Sequence, residues 1–84
     1  MRHHATADFW QAYRTLPAQV QKSADRNFEL LKLNPKHPSL HFKQAGSFWS
    51  VRVGISWRAL AVQDGEDFVW FWISSHADYD KLLR

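Results

Sequence analysis

Eighty-four residues are enough for one small domain and too few for two hydrophobic cores, so we expect a single domain over residues 1–84. The absence of cysteine excludes disulfides and thiolate chemistry. No run reaches the ~18 apolar residues of a membrane span, and no apolar block typical of a signal peptide is visible. The composition therefore predicts a cytoplasmic protein without a membrane partner.

The formal net charge of +3 is unevenly distributed. Residues 21–60 carry seven Lys or Arg against two acids, whereas residues 61–84 carry two against five. A basic middle attracts polyanions or an acidic partner protein. Lys and Arg are also common on the solvated surface of any small domain, so charge alone leaves both interpretations open.

Two helices are predicted in the first part of the chain. Asp8 is a suitable N-cap for a short helix from Phe9 to about Thr15. Pro17 stands where a second helix can begin, and Asn34-Pro35 stops it. The apolar positions of the second helix recur at three-to-four spacing: Val20, Ala24, Phe28 and Leu31.

Extended structure follows these helices. The segment "NPKHPSLHFKQAGS" predicts an irregular connection into a short edge strand around Leu40 to Lys43. The runs "FWSVRVG", "WRALAVQ" and "FVWFWIS" predict three strands, and the short turns between them allow only antiparallel hairpins. The expected fold is α+β, with two N-terminal helices packed on a small, mainly antiparallel sheet.

The turn between the first two of these strands determines where Arg52 and Arg58 point. If the loop is the three residues 54–56, Arg52 lies opposite Arg58 on the face away from the helices. Like charges placed directly opposite each other destabilise a sheet unless an anion joins them. A two-residue loop would instead send the arginines to opposite faces. The residues alone leave both registers open.

A succession of motifs resembles one known family. The motifs "FWxxYxxLPxxVQ", "NPxHPSL", "WSVRVG", "WRALAV" and "HADYDKLL" are similar to those of the RelE/ParE superfamily, the toxins of type II toxin-antitoxin systems. The superfamily contains RelE-like endoribonucleases that cleave mRNA on the ribosome, arresting translation and growth, and ParE-like inhibitors of DNA gyrase. The resemblance implies one of these activities or an inactive member of the family.

The resemblance also implies a site. Family members place basic residues of the two middle strands on the open sheet face, which favours the three-residue loop. In ribonuclease members, residues matching Arg58 and Arg52 bind the scissile phosphate and the transition state. His76 and Tyr79 stand where the family has its last catalytic side chains, so Arg58, His76 and Tyr79 are the candidate catalytic residues. Lys43 and His41 are the further candidates for binding RNA phosphate.

The implied chemistry is cleavage of RNA by attack of its own 2′-hydroxyl. This requires a base for the hydroxyl proton, an acid for the departing 5′-oxygen and cations for the charge on the phosphorane. Histidine can act as base or acid, and arginine matches phosphate oxygens. The route requires no metal or other cofactor. Several RelE-like enzymes have more lysines or a carboxylate base, and where a lysine would be expected this chain has Ser50, so the base stays unassigned.

Other motifs carry less weight. His37 and His41 have the i, i+4 spacing of a zinc pair, but Pro38 disfavours a regular helix there, and we predict no metal site. His3-His4 has no assigned role. The tryptophans are expected mainly in the core, with base stacking as the alternative for Trp49, Trp57, Trp70 and Trp72.

The resemblance finally implies a partner. Toxins of this family are neutralised by a small antitoxin encoded beside them. We expect a cognate acidic antitoxin whose C-terminal segment folds on binding and covers Arg52 and Arg58. The ribosome with mRNA, or DNA gyrase in the alternative, would be the target.

Overall fold

The computed structural model describes residues 2–83, which form a five-stranded sheet in the order β1-β5-β4-β3-β2. The elements are β1 (His3–Ala5), α1 (Ala7–Arg14), α2 (Ala18–Leu33), a 3₁₀ helix (Pro38–Leu40), β2 (Lys43–Ala45), β3 (Phe48–Val53), β4 (Trp57–Asp64), β5 (Asp67–Ser75) and α3 (His76–Leu82). β1 runs parallel to β5, and the other neighbours are antiparallel. The predicted α+β class, with two N-terminal helices on a mainly antiparallel sheet, is confirmed.

The start of α1 differs from the prediction. Thr6, not Asp8, is the N-cap, because its backbone is extended and its hydroxyl accepts a hydrogen bond from the Phe9 amide at 3.1 Å. Asp8 lies in the first turn, where its negative charge favours the positive end of the helix dipole. The second helix behaves as predicted, beginning after Pro17 and ending at Asn34.

The connection into the sheet also differs. Leu40 is fully buried in the 3₁₀ helix, and β2 begins only at Lys43, so the predicted strand from Leu40 to Lys43 is wrong in its bounds. The His37 ring caps this helix by accepting from the Ser39 amide at 3.2 Å. His41 then reverses the chain at a positive φ of 45°, which breaks extended structure before Lys43.

The β3–β4 hairpin has the three-residue loop. Val53 pairs with Trp57 and Arg52 pairs with Arg58, so residues 54–56 form the turn. Gly54 has a φ of 65°, a conformation that costs glycine little. The facing register of the two arginines, left open by the residues alone, is thereby fixed.

The core lies between the helices and one face of the sheet. Its buried residues are Leu16, Leu31, Leu40, Val51, Val53, Ala59, Ala61, Phe68, Trp70 and Ile73. A register shift between Leu60 and Ala61 leaves Phe71 as an extra residue in β5. This bulge lets Trp70 join the core below while Trp72 pairs with Leu60 on the opposite face.

Two elements were not predicted. β1 adds His3 and its neighbours to the edge of β5, and α3 follows directly on β5. In α3 the Ser75 hydroxyl accepts from the Asp78 amide at 3.1 Å, a local capping signal that was present in the sequence. No helix within residues 2–83 is long and apolar enough to cross a membrane.

Candidate functional site

The centre of the candidate site is the arginine pair on the sheet face opposite the helices. Val51, Val53 and Ala59 belong to the helix-facing core. By strand alternation, Arg52 and Arg58 therefore point to the other face, directly across from each other. The hairpin that carries them is tied to α2, because the Asn27 side-chain amide donates to the Arg52 carbonyl at 2.9 Å.

The helix α3 brings His76 and Tyr79 onto Arg58. The His76 amide donates to the Ser56 carbonyl at 2.7 Å, which attaches the helix start to the hairpin loop. One helical turn separates His76 from Tyr79, and their rings stack with centroids 5.8 Å apart. Arg58 Nε lies 3.5 Å from His76 Nδ1, and Arg58 Cζ lies 5.4 Å from the centre of the Tyr79 ring. The structure thus brings the three candidate catalytic residues together.

The contact with Arg58 fixes how the imidazole is oriented. If Nδ1 accepts from the guanidinium, the ring proton is on Nε2, which lies 3.7 Å from Asp80 Oδ2. Nε2 is then the ring nitrogen that is free of the arginine. Asp80 was missed as a site residue, although its i, i+4 spacing from His76 on a helix was a usable signal.

Donors at the site lack acceptors. Within residues 2–83, Arg52 Nε, Arg58 Nη1 and Ser50 Oγ are buried and have no hydrogen-bond partner. Arg58 is only 9% exposed and Ser50 is fully buried. Buried guanidinium hydrogens without acceptors are costly, and an anion that reaches them would remove that cost.

His41 and Lys43 lie near the arginine pair without contacting it through a hydrogen bond. The positive charge of Arg52 is the main cause that lowers the pKa of His41, followed by slight burial and by the charges of Arg58 and Lys43. Since such an effect requires proximity, His41 lies within one positive field formed by Arg52, Arg58 and Lys43. His41 stays neutral over a wider pH range than an isolated histidine.

The tryptophans divide between the two faces. Trp70 is in the core, and Trp49 and Trp57 pack against it, so these three lie on the helix side. Trp72 alone among the four shares the face of the arginines, since it pairs with Leu60. Base stacking therefore stays a prediction for Trp72.

The histidine pair at 37 and 41 does not have helical zinc-site geometry. His37 Nδ1 accepts from Ser39, and a 3₁₀ helix separates it from the reversed backbone at His41. In the described part of the chain, no group of three or more His, Cys, Asp or Glu side chains is placed to hold a metal ion.

Comparison with known proteins identifies the family of the chain. A family model described as the ParE-like toxin domain matches residues 18–81. The chain belongs to this family. It is therefore a RelE/ParE superfamily toxin of a toxin-antitoxin system. A search of curated protein sequences gave no significant match.

Solved structures share the fold of this ParE-like toxin at low sequence identity. A chain of the RelB–RelE antitoxin–toxin complex from Methanococcus jannaschii is 12% identical, with 96% of this chain and 99% of that chain covered and a TM-score of 0.74. A chain of the RelBE2 toxin–antitoxin complex from Mycobacterium tuberculosis is 18% identical, with 89% of this chain and 96% of that chain covered and a TM-score of 0.66. The YoeB/ParE toxin from Agrobacterium tumefaciens is 15% identical, with 90% of this chain and 99% of that chain covered and a TM-score of 0.67. At these identities the likeness shows the fold alone.

Proposed function

We propose that this toxin is a RelE-like endoribonuclease that cleaves mRNA on the ribosome, without a metal ion, and so arrests translation. One observation carries the proposal: Arg52 and Arg58 face each other across β3 and β4 while His76 and Tyr79 lie on Arg58. Phosphate-binding cations and a titratable side chain are thereby placed at one spot, as cleavage by the 2′-hydroxyl requires.

The proposed division of roles follows from the contacts. Arg58 and Arg52 hold the scissile phosphate through their unpartnered donors and stabilise the charge that builds on its oxygens. His76 moves a proton through Nε2, since Nδ1 is engaged with Arg58. Tyr79 supports Arg58 with its ring and presents its hydroxyl to the reacting oxygens. Lys43 extends the positive field along the RNA, and the neutral ring of His41 binds a phosphate oxygen by a hydrogen bond.

The proposal is tested by inducing expression in bacteria and mapping mRNA ends by primer extension. Wild-type protein should arrest growth and produce new ends within coding sequence. R58A should slow cleavage by about 10²–10³-fold, the usual effect of losing one group that stabilises developing charge. K22A, which removes an exposed charge on α2, is the matched control and should behave as wild type. Growth arrest with unchanged transcripts would contradict the ribonuclease activity, and neither arrest nor cleavage would indicate an inactive family member.

A second candidate function is ParE-like inhibition of DNA gyrase. The observation that favours it is the absence, among residues 2–83, of a carboxylate hydrogen-bonded to either arginine, which leaves the candidate catalytic set without a carboxylate base beside the two arginines. A positively charged face without such a carboxylate is better suited to contact with a protein than to acid–base catalysis. Supercoiling by purified gyrase distinguishes the two functions, because inhibition without RNA cleavage selects this one.

The proposed partner is a cognate acidic antitoxin. Two of the structures that share the fold are antitoxin–toxin complexes, which supports a partner of this kind. Unpaired donors of Arg52 and Arg58 provide sites for carboxylates of an acidic segment. Copurification of this chain with the product of the neighbouring reading frame tests the assignment, and the absence of a complex would contradict it.

A further inference from the structure

A basic concavity lies beside the arginine pair, between α2 and the β3–β4 hairpin. Its volume is about 290 Å³. It is lined by Ser23, Arg26, Asn27, Ser39, Arg52, Gly54 and Ile55. This lining includes two arginines and no Asp or Glu, so the charged residues around the concavity are all positive.

Neither guanidinium has a compensating anion within residues 2–83. The acids of α2 are engaged elsewhere: Asp25 accepts from the Tyr13 hydroxyl at 2.7 Å, and Glu29 pairs with Lys32 at 2.9 Å. Arg52 Nε is also buried without a hydrogen-bond partner. Two like charges around one concavity repel each other, so an anion bound between them would be stabilising.

We propose that this concavity, which we name the Arg26 cleft, binds a backbone phosphate of single-stranded RNA that flanks the scissile phosphate. The choice of RNA rests on the proposed ribonuclease function. Arg52 is the link, since it lines the cleft and also faces Arg58 across the hairpin. The strand would thus pass from Arg58 over Arg52 to Arg26, with guanidinium forks binding successive phosphates.

The other lining residues define how the phosphate is held. The Ser23 hydroxyl already donates to the Gln19 carbonyl, and the Ser39 hydroxyl lies 2.8 Å from His37 Nδ1. Binding therefore depends on the two arginines. Ile55, which is 91% exposed at the rim, offers an apolar surface to a ribose or base next to the bound phosphate. In a nucleic-acid strand every phosphate is followed by a sugar and a base at a fixed spacing, which matches a guanidinium beside an apolar rim.

The test measures binding of a short labelled RNA with 2′-O-methyl groups, which cannot be cleaved by the proposed route. Anisotropy titrations over a range of salt concentrations give the slope of log K against log[salt]. R26A should reduce the magnitude of this slope by about 0.7, the value for one phosphate contact on a single strand. R26K should keep the slope but bind more weakly, since it retains the charge and loses the fork. K22A, an exposed charge four residues earlier on α2 and outside the cleft, should match wild type.

The outcomes separate this inference from the proposed function. If R26A and K22A give equal slopes, the inference that Arg26 binds an RNA phosphate is overturned, even if the protein cleaves mRNA in cells. If R26A lowers the slope but the wild-type protein cleaves no mRNA, RNA binding in the Arg26 cleft is supported and the proposed ribonuclease function is rejected. If R26A weakens binding of poly-glutamate but leaves the RNA slope unchanged, the RNA assignment is overturned and the cleft belongs to an acidic protein partner. Thermal unfolding of each variant verifies that it is folded.

Discussion

His3 joins the first strand to the core through one hydrogen bond. Trp70 Nε1 donates to His3 Nδ1 at 3.0 Å, which places the ring proton of the neutral imidazole on Nε2. Burial is the main cause that lowers the pKa of His3 from its ordinary value of 6.5, with the positive charges of His4 and Lys32 adding to it and Asp67 opposing it. Protonation of Nδ1 would break the bond to Trp70.

This arrangement predicts a loss of stability in weak acid. As the pH falls through 6.5, the unfolded chain protonates His3 while the folded chain does not, so the free energy of unfolding decreases until the lower folded pKa is reached. H3N keeps an acceptor near Nδ1 and does not titrate, so part of the pH dependence should disappear. Urea denaturation midpoints, determined at several pH values between about 7 and about 5, measure this pH dependence of stability. H4N is the control on the same strand, and an H3N profile parallel to wild type would contradict the prediction.

Tyr79 has two separable contributions, its ring and its hydroxyl. The ring supports Arg58, whose Cζ lies 5.4 Å from its centre. Y79F keeps the ring, so binding of uncleavable RNA should be unchanged while cleavage slows by about 10²-fold, a common effect of losing a proton-transfer group. Y79L removes the ring as well and should also weaken RNA binding. A Y79F protein that cleaves at the wild-type rate would leave Tyr79 only the supporting role.

The β3–β4 hairpin is the element that creates the site. Its three-residue loop places Arg52 opposite Arg58, and a change of one residue in register would separate them. Gly54 permits this loop through its φ of 65°, and a Cβ built there would meet nothing within 4 Å. The cost of a side chain at this position is therefore one of backbone conformation alone.

Replacing this glycine tests the hairpin geometry. G54V should lower the free energy of unfolding by about 1–2 kcal/mol, because a β-branched residue disfavours a positive φ. G54N should cost less, since asparagine tolerates this region. Urea denaturation of the two variants gives the comparison. Wild-type stability of G54V would mean that residue 54 does not adopt the left-handed conformation.

At the scale of the whole molecule, basic residues of the hairpin and of α2 come near each other where Arg52 and Arg26 line one concavity. Arg52 lies at the centre of this distribution, since it faces Arg58, lines the Arg26 cleft and influences His41. A concentrated positive field speeds association with an acidic partner and loses its effect as salt increases. Arg52 is also less buried than Arg58, so it is the better position for a charge reversal.

R52E is therefore expected to slow association with an acidic antitoxin. The association rate should fall by at least about tenfold at low salt and approach the wild-type rate at high salt. K22E makes the same change of charge on an exposed part of α2 and should have a much smaller effect. Stopped-flow mixing at several salt concentrations measures both. Equal rates for R52E and wild type at low salt would exclude Arg52 from the interface.

Local features of the sequence determined a large part of this fold. The three-to-four spacing of apolar residues and the Asn34-Pro35 stop predicted α2, and the aromatic and β-branched runs predicted β3, β4 and β5. These signals are local, because helical period, strand period and turn chemistry involve residues only a few positions apart. The candidate residues Arg58, His76 and Tyr79 came from the family resemblance added to them.

The tertiary structure decided the features that depend on contacts between residues far apart in the sequence. β1 has only three residues and gains its partners from β5, more than sixty positions away, so no local pattern identified it. The register that turns both arginines to one face is held by sheet pairing and by Asn27 of α2. The burial of Arg58 beneath α3 and the meeting of Arg26 with Arg52 in one cleft likewise required the packed chain. Such contacts form only when loop closure brings remote segments together, and the sequence of either segment alone does not contain them.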